Sequence, residues 1–263
     1  MSAPDASHLV VSVGLALAIS TAARRMGALT TSGATAAAAV GFLVLGFGGW
    51  AGGAALLLFF VSSSALSRLD KKRKQSLDYE KGGERDAAQV LANGGAAAVS
   101  ALLSLFLPES PLPAAAMLGA LASANADTWA TEIGSLASRP PRLITTFRPA
   151  PTGSSGAVSV PGTVASVAGA LLIAVAVLFF GFGVYGIIAV LIGGIAGSLF
   201  DSVLGATLQV QYRCAVCGKT TERHLHHGLP TRWERGLLWM NNDAVNLLAT
   251  LCGALVTALL LPH

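Results

Sequence analysis

The feature that most constrains this chain is the recurrence of long apolar stretches separated by short polar segments. A helix that crosses a bilayer needs roughly 17–25 mostly apolar residues. Eight candidates lie near 7–23, 34–49, 52–67, 88–107, 113–137, 162–181, 184–207 and 242–261. A soluble core can hide one or two such runs, but not eight. Only 11% of the residues are charged, against about 25% in an ordinary soluble domain. The runs are rich in Ala and Gly, which let helices approach closely where lipid removes the hydrophobic drive between them. The second and third candidates are short and joined by Gly48-Gly49-Trp50-Ala51-Gly52-Gly53. The expected fold is all-α: a polytopic integral membrane bundle of about eight transmembrane helices, forming one transmembrane domain over residues 1–263.

Charge placement tests that count. With the N-terminus outside, the inside loops are 24–33, 68–87, 138–161 and 208–241, and they hold all 17 Lys and Arg residues. The turns near 49–53, 108–112 and 182–183 hold none, which is the asymmetry that orients membrane proteins. A net charge of +4 could suggest nucleic acid, but basic residues that alternate with apolar spans serve orientation and contact with anionic lipid instead. No nucleic-acid partner is expected.

Ionisable side chains inside a membrane are costly, face the bundle interior and mark functional sites by default. Four segments carry them. In the first, Asp86, Gln89 and Asn93 fall at i, i+3 and i+7, one helical stripe following Lys81 and Arg85. In the second, Asn125, Thr128 and Glu132 share a face, while Asp127 lies about 140° from Glu132 on an ideal helix. The third places Ser198, Asp201, Ser202 and Gly205 at i, i+3, i+4 and i+7. The fourth, Asn242-Asp243 with Asn246, enters the last span; Asn and Asp are also ordinary helix caps there. Carboxylate oxygens suit Mg²⁺, which typically binds one or two carboxylates together with substrate phosphates. Between Arg148 and Ser159, Thr152-Gly153-Ser154-Ser155-Gly156 forms a Gly/Ser loop ahead of a helix start, where backbone N–H groups can receive an anion.

Four patches resemble the transmembrane protein 19 family: Arg85–Gly94, Ala126–Gly134, Gly156–Ser159 with Gly162-Thr163, and Gly197–Ser202 with Leu204–Thr207. Asn242, Asp243 and Asn246 are similar to that family's last span. Its plant and cyanobacterial members include phytyl-phosphate kinase of the vitamin E pathway. The resemblance implies phosphorylation of a prenyl monophosphate to its diphosphate by a nucleoside triphosphate, CTP or ATP, with Mg²⁺, in a prokaryotic plasma membrane or plastid envelope. On that basis Asp127, Glu132 and Asp201 are expected to contact the metal, with Asp86 and Asp243 in support. Lys81, Arg85 and Arg148 are expected to hold phosphates. Asn93 and Asn125 are expected to orient groups, Ser198, Asn242, Asp243 and Asn246 to help bind the substrate phosphates, and the apolar tail to lie between helices.

Separately, Cys214-Ala215-Val216-Cys217 followed by His224, His226 and His227 has zinc-ligand types with a credible C-x₂-C pair. Two readings fit this inside-facing 208–241 loop: a structural Zn²⁺ held by Cys214, Cys217, His226 and His227, or two reduced thiols with the histidines serving elsewhere. The competing function is an ion-coupled transporter, which also uses buried carboxylates and Gly-broken helices. Against it, no inverted repeat is visible and the polar groups gather toward one leaflet.

Overall fold

A computed structural model describes residues 4–69, 83–175, 178 and 181–261. Among them are seven helices: α1 (Ala6–Arg25), α2 (Thr31–Ser67), α3 (Ala87–Leu103), α4 (Leu112–Gly134), α5 (Val160–Ala174), α6 (Gly183–Thr207) and α7 (Asn242–Leu260). Polar residues set where five of them start. Asp5, Thr30, Asp86, Ser159 and Asn241 each accept the backbone N–H three residues on, satisfying a donor that the first helical turn leaves unpaired.

The second helix is not continuous. Gly49 adopts φ 68° and ψ −172°, a conformation that side chains forbid, and the chain doubles back there. A Cβ built on Gly53 would lie 3.4 Å from the Cβ of Leu45, whereas eight residues of unbroken helix span about 12 Å. The first half of α2 runs beside α3, with Val40 against Gly94. The second half runs beside α4, where Ser62 and Ser63 donate to Asn125. The Gly-rich joint between two short apolar runs is therefore a tight helical hairpin.

By length and composition, α1, α2, α6 and α7 can each cross a membrane. The apolar helices α3 and α5 are shorter, at 17 and 15 residues. Large apolar side chains such as Val10 and Leu259 point outward, as lipid-facing residues do, and small residues fill the interior. The central helix is α4, which packs against α2, α3, α5, α6 and α7. Its Met117, Leu118 and Leu121 are fully buried with Val44, Ile173 and Val190. Buried hydroxyls tie helices together: Ser123 donates to the Ala249 carbonyl at 3.0 Å and Thr250 to that of Ala92 at 3.1 Å.

The all-α expectation needs a correction in the loops. Strands β1 (Arg142–Leu143) and β2 (Ala157–Val158) pair antiparallel. The segment after α6 forms a three-stranded sheet in the order β4-β3-β7, from β3 (Gln211–Arg213), β4 (Thr220–Thr221) and β7 (Arg232–Arg235). Inserted in it is a hairpin of β5 (Leu225–His226) and β6 (Leu229–Pro230). These loops are long enough to fold back on themselves, and antiparallel pairing satisfies backbone groups that no helix can.

Candidate functional site

The described parts of the α1–α2 turn, the segment before α3 and the loops after α4 and α6 fold together at one end of the bundle. The α1–α2 turn pairs with the segment before α3: Thr30 donates its backbone N–H to Arg85 and Arg85 donates to Ala28, both at 3.0 Å. The Gly/Ser loop leans on the end of α6. Gly156 has φ +74°, and a Cβ there would meet the Ala206 nitrogen at 2.3 Å and the Ser202 carbonyl at 2.5 Å. Only glycine permits this approach.

Between these loops the helices part around a cavity of about 730 Å³. The end of α4 contributes Asp127, Thr128 and Glu132; α6 contributes Ser198, Asp201 and Ser202; α7 contributes Asn242 and Asn246. Arg85 and Gln89 enter from α3, Ser67 and Arg68 from the end of α2, and the whole of Thr152–Ser159 closes one side. Asp127 and Glu132 diverge around α4, yet both reach the cavity because it wraps the end of this central helix.

The charges are mixed. Three arginines, Arg68, Arg85 and Arg223, face five carboxylates: Glu84, Asp127, Glu132, Asp201 and Glu222. Glu132 accepts a hydrogen bond from the Ser67 hydroxyl and lies within electrostatic reach of Arg85. Burial lowers the Arg85 guanidinium from its usual pKa, and the Glu132 charge counters that. Asp201 feels the charges of Asp127 and Glu222. Its Oδ2 is buried and takes no hydrogen bond from any described residue, and the Gln209 Nε2 is likewise buried without an acceptor. A buried carboxylate oxygen left in this state costs at least about 1–3 kcal/mol, so a cation or donor from a ligand fits beside it. Among the described residues, however, Asp127, Glu132 and Asp201 do not form a group whose ligand atoms all lie within 4.8 Å of one another.

Several residues expected in the site stand elsewhere. Asp86 is the N-cap of α3, in a reciprocal capping box with Gln89. Asn93 bonds back to the Gln89 carbonyl at 3.0 Å. Asn125 is fully buried and clamps α4 to α5 and α2, donating to the Gly169 carbonyl at 2.8 Å and accepting from Ser62 and Ser63. Arg148 is exposed and lies apart from the cavity lining. Asp243 sits in the first turn of α7, where its charge favours the helix dipole. Lys81 lies outside the described residues. In their place the fold brings in Ser67, Arg68, Gln209, Glu222 and Arg223. Arg68 and Ser67 follow a helical run with Ser64, a periodicity that could have flagged them; Glu222 and Arg223 lie in a folded loop without any.

A second cluster stands in the 208–241 segment. One ligand atom each from Cys214, Cys217, His226 and His227 lies within 4.8 Å of the others. The Cys217 backbone N–H, and after it the His226 ring, lower the Cys214 thiol to about 7. His224 is turned away onto Tyr212, their ring centroids 4.5 Å apart.

No solved structure matches this chain. An uncharacterised membrane protein of Methanocaldococcus jannaschii is 31% identical over 259 residues, covering 96% of this chain and 94% of its own. Protein PGR of Arabidopsis thaliana is 31% identical over 225 residues, 75% of this chain and 77% of its own. Protein VTE6, chloroplastic, from the same plant, is 27% identical over 240 residues, 88% of this chain and 65% of its own. The family resemblance drawn from the motifs holds, and archaeal and chloroplastic relatives fit a prokaryotic plasma membrane or a plastid envelope. Residues 14–254 match one family throughout, and the chain belongs to it: the integral membrane proteins DUF92.

Proposed function

We propose that this protein is a membrane-embedded phosphotransferase that moves a phosphoryl group from a nucleoside triphosphate to a prenyl monophosphate such as phytyl phosphate. The observation that carries the reading is the cavity at one end of the bundle, where carboxylates, arginines and a Gly/Ser loop at a helix start converge beside the buried Asp201 Oδ2, which no described residue hydrogen-bonds. The motif resemblance to a family whose members include phytyl-phosphate kinase, together with a chloroplastic relative, supports the substrate class. The bundle is read as eight spans, with Gly49 at the tip of the α2 hairpin and the cavity on the positively charged side.

The acceptor is a phosphate monoester with a second pKa near 6. It is already largely ionised at neutral pH, so no general base is required. Its oxygen attacks the γ-phosphorus, a new P–O bond forms, and the bond to the nucleoside diphosphate breaks. The protein's task is to bring two anions together and to stabilise charge on the transferred group by positioning and electrostatics. Arg68, Arg85 and Arg223 hold phosphate oxygens, aided by backbone N–H groups of Thr152–Ser159 and by Asn242 and Asn246. Ser67 and Arg85 fix Glu132. Mg²⁺ held at the Asp201 Oδ2, with Asp127 and Glu132 reaching it through bound water, would neutralise phosphate charge. Val167, Ile195 and Leu199 give the cavity an apolar wall between α5 and α6, and Val167 and Leu199 are exposed on the lipid side. The prenyl tail lies against this wall.

The test is transfer of labelled γ-phosphate by the purified, reconstituted protein to a series of prenyl monophosphates, with CTP and with ATP. Formation of a prenyl diphosphate is expected. No transfer from any donor to any acceptor by a folded, monodisperse sample would overturn the reading.

A further inference from the structure

The 208–241 segment carries a cluster that the phosphoryl-transfer reading leaves unused. Cys214 and Cys217 lie in a tight turn after β3. The Val216 N–H donates to the Cys214 sulfur at 3.3 Å, the Gly218 N–H to the Cys214 carbonyl at 3.0 Å, and the Cys214 N–H to the Lys219 carbonyl at 2.9 Å. These bonds point both sulfurs to one side. Across from them the β5–β6 hairpin turns through His227 and Gly228, with positive φ at both, 54° and 75°. Consecutive residues of a strand normally point to opposite faces. The turn instead brings the rings of His226 and His227 together, their centroids 4.2 Å apart. The Cys217 sulfur is 3.6 Å from the His226 Nδ1. A tetrahedral zinc with bonds of about 2.0–2.3 Å sets its ligands about 3.3–3.8 Å apart.

We infer that Cys214, Cys217, His226 and His227 form a closed structural Zn²⁺ site that holds the 208–241 segment in place over the cavity. Two thiolates and two imidazoles make a soft, four-ligand set suited to zinc and leave no open position for chemistry. The site lies between strands whose ends reach the cavity. β4 leads directly into Glu222 and Arg223, and Glu222 bonds Ser155 of the Gly/Ser loop. Gln211 of β3 donates to the same Ser155 hydroxyl at 2.6 Å. Zinc therefore ties the β3–β4 turn to the β5–β6 hairpin and fixes the segment between them, which carries Glu222 and Arg223.

The inference does not rest on the phosphoryl-transfer reading, and its readouts are independent of activity. Full-length protein purified from zinc-replete cells is expected to contain about one zinc per chain. Cobalt substitution should give the visible bands of tetrahedral Co²⁺ with a thiolate charge-transfer band. Cys217→Ser and His226→Ala should each lose the metal, while His224→Ala keeps it. In the unmodified protein, which needs no variant to fold, chelation should speed alkylation of both thiols and hydrogen exchange across 211–235, leaving the helices protected. Protein without zinc, protein holding iron instead, or thiols alkylated equally fast with and without zinc would each overturn the assignment.

Discussion

Asp201 combines a buried oxygen that receives no hydrogen bond from any described residue with two neighbouring carboxylates, a setting in which an arriving cation favours its charged form. Glu132 is held by Ser67 and faced by Arg85. Replacing either acid by its amide preserves size and removes the charge. Metal-assisted charge stabilisation is worth several kcal/mol, and about 1.36 kcal/mol is tenfold in rate. Asp201→Asn and Glu132→Gln are therefore each expected to lower prenyl-phosphate kinase turnover at saturating Mg²⁺ by at least about a hundredfold. Insertion and folding should survive, since removing a membrane carboxylate relieves a cost. Near-normal turnover in both variants would make these acids structural. Among the arginines, Arg223→Ala should raise the apparent KM for a phosphate substrate several-fold more than Arg148→Ala, because Arg223 lines the cavity and Arg148 faces solvent.

At the scale of elements, the Gly/Ser loop is placed by backbone contact with α6. Gly156→Ala would drive a methyl into the Ala206 nitrogen while forcing a side chain onto φ +74°. A destabilisation above about 1 kcal/mol is expected, with displacement of the loop and loss of transfer in protein that still inserts. Thermal denaturation in detergent beside the transfer assay separates the two effects. The small sheet has a pH limit of its own. Arg213, through its hydrogen bond, and Thr220 hold the Glu234 carboxyl below its ordinary value of 4.5, linking β3 and β4 to β7. A depressed folded pKa contributes stability that is present above the unfolded pKa and lost as pH falls through the folded one. In zinc-free protein, hydrogen-exchange protection of 211–235 should stay level at neutral pH and fall on acidification below that carboxylate range. Glu234→Gln should start lower and show a flatter profile; an identical acid transition in the variant would assign it to another group.

Taken whole, the molecule is an amphipathic bundle turned outside in, with apolar residues toward lipid and the cavity's described charged groups gathered at one end. The eight-span reading puts Glu109 and the loop carrying Cys217 on opposite faces. In right-side-out vesicles an impermeant thiol reagent should label Glu109→Cys, while the native Cys217 should react only in inverted vesicles after chelation. Labelling of both from one side would remove the reading. Much of this was legible in the chain itself. Apolar run length and the confinement of all 17 basic residues to alternate loops follow from the bilayer's demand for paired backbone and its aversion to charge, constraints that act locally. Asp127, Glu132 and Asp201 stood out for the same reason, and the Cys214–Cys217 spacing announced a ligand pair. What only the tertiary structure decided is which polar groups meet. Asp86 and Asn125 look like site residues because helical periodicity records a face, not its neighbour; α3 spends the first on a cap, and α4 spends the second on clamping helices. Glu222 and Arg223 belong to no periodic run, and they reach the cavity because the β-strands after α6 fold back over it. His226 and His227 converge because a turn with positive φ overrides strand alternation. Local pattern reports the environment a residue can tolerate, and contacts between distant segments decide what it touches.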